Sequence, residues 1–315
     1  MPIWNKFCWT LALTLLVLWS SEALSTDLEK KVIKTRLDNG MTILMLERKF
    51  SPTVSLYIRH RVGAVDEVKG QTGAAHFLEH MMFKGTTSIG TKDFTAEVQL
   101  IEEIESTGQA LDDERRKNEK ADAKQIEKLS AQLKELQTKH RHYYVSNEID
   151  RLYTENGGLG MNASTGQDVT TYFVSLPANK IELWARVEAD RLLNPVFREF
   201  YTERDVILEE RRQRIESNPD GKLYQAFMRE AYRVHPYGLP IIGLLEDIRY
   251  LNPAAVRDMH RRYLSPDHTV IAVVGDIDPR VTLEFIKRYF GRIPEKRYHA
   301  ASVPERKRAE LRKGT

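Results

Sequence analysis

Residues 73–85 read Gly73-Ala74-Ala75-His76-Phe77-Leu78-Glu79-His80-Met81-Met82-Phe83-Lys84-Gly85, and His76 to His80 is the decisive part. On an α-helix, positions i, i+3 and i+4 share a face because the repeat is 3.6 residues. His76 and His80 therefore point the same way, one turn apart, with Glu79 beside them. Two imidazoles so spaced supply half of a tetrahedral zinc site. A neighbouring carboxylate that is not needed as a ligand is placed to take up the proton of an attacking water. The competing reading is two surface histidines flanking a glutamate on an ordinary amphipathic helix.

A catalytic zinc takes three protein ligands and keeps one position open, so the chain must supply another donor from elsewhere. The best stretch is Phe200-Tyr201-Thr202-Glu203-Arg204-Asp205-Val206-Ile207-Leu208-Glu209-Glu210. Glu203, Val206, Ile207 and Glu210 follow i, i+3, i+4, i+7 spacing and are expected to share a face. Carboxylates among inward apolar residues are costly unless a cation compensates them. Glu209 lies about 100° around the helix from Glu210 and is expected in solvent. By spacing alone, a charged helix laced with salt bridges to Arg211, Arg212 and Arg214 fits equally well.

The order H-x-x-E-H inverts the commoner H-E-x-x-H arrangement of zinc peptidases. From about Val32 to Pro294 the chain resembles the pitrilysin, insulin-degrading enzyme and mitochondrial processing peptidase superfamily. Several separated stretches carry the resemblance: residues 73–85; Asn162-Ala163-Ser164-Thr165 with Asp168, Thr170 and Tyr172; Glu203 to Glu210; His235-Pro236-Tyr237-Gly238; and Val274-Gly275-Asp276-Ile277. The resemblance implies that His76, His80 and Glu210 hold one zinc ion per chain, with Glu79 as general base. It makes Glu203 a supporting acid that does not itself bind the metal. Asn162 and Ala163 align with positions that hold the substrate backbone, and Phe77 is expected to join them. It further implies a zinc metalloendopeptidase acting on peptides, built as half of a clamshell that faces a second homologous domain or subunit.

Bulk properties leave room for this. The formal charge is only +3, from 48 basic and 45 acidic residues, so nothing points to a nucleic-acid surface. The length suffices for one large core or two smaller ones. Lys6 precedes an apolar run from Phe7 to Trp19 and then Ser20-Ser21-Glu22-Ala23, which reads as a signal peptide over residues 1–23. The expected location is the periplasm, with an uncleaved inner-membrane anchor as the alternative. The single cysteine, Cys8, would leave with that segment, and a cysteine-free mature chain suits an oxidising compartment.

Asp38-Asn39-Gly40 predicts a tight hairpin turn between strands within residues 32–47. Further strands are expected at 53–61, 169–176 and 269–275. Helices are expected at 91–105, 180–193, 199–216, 223–232, 253–263 and 282–290. Strands early and late with clustered helices favour an α+β fold, a mixed, largely antiparallel sheet covered by helices on one side. That domain is expected to span 28–294, with 295–315 a basic linker toward a second domain. Within it, Ile126, Leu129, Leu133 and Leu136 repeat at coiled-coil spacing. This predicts an inserted helical hairpin over 106–146 that projects from the domain, as a solvated arm, a lid or a partner contact. Two rivals remain: a thioether-metabolite enzyme of related fold, disfavoured because no cysteine follows Cys8, and a non-catalytic assembly subunit that docks through the arm.

Overall fold

The computed structural model describes residues 28–295. The expected signal segment, Cys8 with it, and the basic tail beyond Glu295 lie outside the described residues. Gly40 takes φ +94°, and the chain reverses there between β1 (Ile33–Arg36) and β2 (Thr42–Glu47), which pair antiparallel with Ile33 opposite Met45. Buried Asn39 fixes the turn by donating from Nδ2 to the carbonyls of Phe290 and Ile293, both at 2.9 Å. β3 (Thr53–His60), β4 (Leu159–Thr165), β5 (Thr170–Pro177) and β6 (Thr269–Gly275) complete a six-stranded sheet in the order β1-β2-β6-β3-β5-β4. Only β2 and β6 run parallel.

Side chains alternate across a strand, and here one face is sealed while the other is open. Ile43, Met45, Val54, Leu56, Ile58, Tyr172, Val174, Leu176, Ile271 and Val273 are buried under helices. Their neighbours Ser55, Phe173 and Ala272 are half-buried and Tyr57 is exposed. The expected one-sided cover is present. In chain order the helices are α1 (Ala74–Met81), α2 (Phe94–Arg115), α3 (Ala123–His140) and α4 (Glu148–Glu155). Then come α5 (Ile181–Leu193) and α6 (Phe200–Arg211), the latter running into a π-helical turn at Arg212–Glu216. The chain continues through α7 (Pro219–Ala231), α8 (Leu245–Arg249), α9 (Pro253–Tyr263) and α10 (Pro279–Phe290).

Capping side chains explain where the helices depart from their expected starts. Asn218 accepts from the backbone of Asp220 and Gly221, so α7 opens at Pro219 rather than 223. Asp278 does the same for Arg280 and Val281, so α10 opens at Pro279 rather than 282. The sequence reading carries neither α4 nor α8, whose eight and five residues are too short for a periodic pattern to stand out.

α2 and α3 form the helical hairpin, with Leu129, Leu133 and Leu136 buried in its seam. It does not stand clear of the domain, as the projecting-arm reading had it, and its first helix starts at Phe94, well before 106. Buried Arg198 donates to Glu97 at 2.6 and 3.0 Å, and Glu97 also meets buried His140 at 2.8 Å, closing the hairpin base. Burial alone would push the Glu97 carboxyl up, but His140 and Arg198 outweigh it and hold it at about 2. Farther along, Arg204 of α6 grips Asp112 at 2.5 and 3.0 Å, and Arg257 of α9 grips Glu105 at 2.7 and 2.6 Å. A Cβ at Gly108 would lie 2.1 Å from the Tyr201 ring, so the helices pack at a distance only glycine permits. The sequence signal, an apolar seam, announces the pairing of α2 with α3. It carries no sign of arginines reaching across from residues about a hundred positions away.

His60, wholly buried on β3, meets Thr269 Oγ1 at 3.0 Å through Nδ1. Burial, with His260, Arg191 and His268 adding to it, pushes its pKa down to about 3. The folded protein thus holds His60 neutral while the unfolded chain binds a proton below about pH 6.5. Its contribution is whole above that pH and shrinks as pH falls toward 3, by up to about 1.4 kcal/mol per pH unit. Urea unfolding at pH 7 and pH 4.5 should show a shallower acid loss for His60→Gln than for the wild-type chain. Equal losses would remove His60 from the acid response.

Candidate metal centre

α1 crosses between the end of β4 and α6. Its residues Ala74, Ala75, His76, Phe77, Leu78 and Met81 are buried, while Glu79 and His80 are half-buried. The rings of His76 and His80 stand 4.7 Å apart at 72°. α6 buries Phe200, Tyr201, Arg204, Ile207 and Arg211, leaving Glu203 and Glu210 half-buried toward α1. Val206, expected on the inward face, is 48% exposed, because α6 turns its Arg204 line, and not Val206, into the protein.

Nε2 of His76 lies 3.7 Å from Glu210 Oε1, and Nε2 of His80 lies 3.6 Å from Glu210 Oε2. Donor atoms of the three residues fall within 4.8 Å of one another, and they form the only such cluster found among the described residues. Ligands of a tetrahedral zinc with bonds of ~2.0–2.2 Å stand roughly 3.3–3.6 Å apart, so the set fits the ion with small adjustments. Protonation fits as well. Glu203 Oε1 meets His80 Nδ1 at 2.8 Å, and since a carboxylate only accepts, Nδ1 donates, the arrangement in which the neutral ring presents Nε2 to a metal. Burial would push Glu203 up, but His80 and Lys84, the latter 2.6 Å from Oε2, hold it at about 2. For His76, burial, helped by His80 and Arg214, pushes the pKa down to about 3, so the ring is neutral at pH 7. Buried His76 Nδ1 has no hydrogen-bond partner among the described residues.

Glu79 lies beside this trio and accepts a hydrogen bond at Oε2 from Thr165 Oγ1, at the end of β4. Burial pushes its pKa up, against the pull of Thr165 and His80. Arg214, one turn beyond Glu210, donates to its Oε1 at 3.0 Å. The Arg214 contact is one of the salt bridges that the charged-helix reading expects, whereas Thr165 has no expected role; it sits inside the quoted 162–165 stretch, but its contact with Glu79 depends on tertiary placement.

The expected substrate contacts divide. Asn162 and Ala163 lie on β4, the edge strand with one side unpaired, and Asn162 is exposed. Phe77 does not join them. It is wholly buried and stacked on Phe200 at 4.5 Å. One position past His76 is a rotation of about 100°, which carries the ring away from Glu210 and into the core.

A six-stranded sheet with one-sided helical cover thus backs two helices whose two imidazoles and one carboxylate converge as a candidate metal site. The family description "Insulinase (Peptidase family M16)" matches residues 43–112 and 129–244, and "Peptidase M16 inactive domain" matches 250–315. The chain belongs to peptidase family M16. Only the hairpin tip, 113–128, interrupts the longer match. It is 28% identical over 258 residues to the zinc protease PqqE of Helicobacter pylori, covering 81% of this chain and 45% of that protein. A solved protease from Helicobacter pylori superposes with a TM-score of 0.67 at 25% identity, covering 88% of this chain and 54% of the other. The first half of the periplasmic protease PqqL from Escherichia coli superposes with a TM-score of 0.63 at 22% identity, covering 90% and 49%. The chain spans about half the length of the curated relatives it matches.

Proposed function

We propose that this chain carries the hydrolytic half of a zinc endopeptidase acting on peptides or unfolded polypeptide segments. The observation that carries the reading is the convergence of His76, His80 and Glu210 within 4.8 Å, with Glu79 alongside. Zinc bound there supplies Lewis-acid polarisation of the scissile carbonyl and lowers the pKa of water toward about 7. Glu79 takes the proton of the attacking water at Oε1, the oxygen that Thr165 leaves free. It then gives that proton to the leaving amine nitrogen as the C–N bond breaks. Glu203 holds His80 in the Nε2 lone-pair tautomer. The free edge of β4 at Asn162 and Ala163 pairs with an extended peptide backbone, a mode that reads side chains weakly. The half-length match to relatives supports a second homologous domain or subunit completing the cleft. The apolar run near the N-terminus supports export to the periplasm. Among the described residues no helix is long and apolar enough to cross a membrane.

The test is reversible metal removal. Chelator-treated protein should lose hydrolysis of an unfolded casein substrate, and one equivalent of zinc per chain should restore it. Metal-independent hydrolysis would overturn the reading. No hydrolysis by a zinc-loaded chain would instead favour the partner-dependent subunit.

A further inference from the structure

The helix bearing the histidines is two turns long, so any shift at its first residue moves both imidazoles. Gly73 stands at its N-cap with φ +90° and has no side chain to cap it. The missing cap comes from Glu67, six residues earlier. Its Oε2 accepts from the Gly73 N–H and its Oε1 from the Ala75 N–H, both at 2.9 Å. From the other side, Asp247 of α8 accepts from the Thr72 N–H at 3.1 Å and the Thr72 hydroxyl at 2.6 Å. Leu244 N–H in turn donates to the Thr72 hydroxyl at 2.8 Å. A Cβ at Gly73 would fall 2.6 Å from the Ile242 carbonyl, so the two loops cross at backbone contact.

Ordinary caps in this protein, such as Asp93 and Asp278, make the same kind of bond from exposed positions. Glu67 differs. Burial pushes its carboxyl up to about 8, against the pull of the two N–H groups and with Asp247 and Asp66 adding to the rise. The arrangement carries a desolvation cost that a solvent-exposed cap avoids, and its contacts are confined to the entry of the histidine helix.

We propose that Glu67 is a positioning residue for the metal centre: by bridging Gly73 and Ala75 it sets the rotation of α1 at which His76 and His80 meet Glu210. Glu67 touches neither metal ligand nor substrate. The inference rests on the zinc reading of the site. Because two N–H groups are held by two oxygens of one carboxylate, an amide of the same shape keeps one acceptor, and an alanine keeps none.

The experiment measures zinc affinity by competition with a chromophoric chelator, together with the visible spectrum of the cobalt-substituted protein and the thermal midpoint of the metal-free chain. Glu67→Ala should weaken zinc by about ten- to a hundredfold, the range for lost supporting contacts, and alter the cobalt bands. Glu67→Gln should recover most of the affinity. Wild-type zinc affinity and cobalt bands in Glu67→Ala, with only the midpoint lowered, would make Glu67 a plain structural cap. If the alanine variant does not fold, Glu67→Gln and the shorter Glu67→Asp decide: affinity falling from wild type through Gln to Asp supports the inference, and equal affinities overturn it. A wild-type chain that takes no zinc sinks the metal reading itself, whereas normal wild-type binding shared by every Glu67 variant sinks this inference alone.

Discussion

Glu79→Gln should lower peptide hydrolysis by about 10²–10⁴-fold, the range that a positioned general base contributes, with zinc content by elemental analysis unchanged. The amide has the size of the carboxylate and can still accept from Thr165, so the end of β4 should keep its place against α1. Glutamine has no basic oxygen at neutral pH and cannot carry the water proton to the amine. The half-buried position that pushes the Glu79 pKa up also makes its carboxylate a stronger base than one in open water. Turnover near the wild-type level in a zinc-loaded Glu79→Gln chain would take Glu79 out of the proton path. Threonine 165 would then be holding a bystander.

Much of this fold can be read from local pattern. Asn39-Gly40 fixes a hairpin, alternation at Val54, Leu56 and Ile58 fixes a half-buried strand, and both occur as expected because turn chemistry and side-chain alternation are properties of a few adjacent residues. The site histidines are legible for the same reason, since i and i+4 on one helix must be neighbours. What local pattern misses depends on distant partners. Arg198, Arg204 and Arg211 look like solvated charges and are buried, the first two because Glu97 and Asp112 meet them from the hairpin. The hairpin therefore lies on α6 instead of projecting. Phe77 belongs to the motif in sequence but not in angle, since Phe77, Leu78 and Met81 make the stripe that faces the core. Glu67 gives no signal in sequence, since a cap reaching back across six residues and a glycine turn matches no capping box.

The identity of the third donor is the sharpest remaining choice, and two glutamates seven residues apart on α6 offer it. Glu210→Gln should cost on the order of a hundred- to a thousandfold in zinc affinity, about 3–4 kcal/mol, because it removes one of three protein donors together with its charge. Its carboxylate stands 3.7 and 3.6 Å from the two Nε2 atoms, and without its charge a divalent ion would face two neutral rings and the cation of Arg214. Glu203→Gln should hold zinc within about tenfold of the wild-type chain, a small loss of the kind expected for a contact outside the ligand set. Its amide oxygen can still accept from His80 Nδ1, and Lys84, losing one partner, retains Glu199 at 3.4 Å. Chelator competition on the two variants separates the roles without any activity measurement. The opposite ranking would move the third donor two turns earlier on α6, to the oxygen now bonded to His80 Nδ1. His80 would then have to rotate its ring to present Nδ1, giving up the tautomer on which the proposed geometry depends.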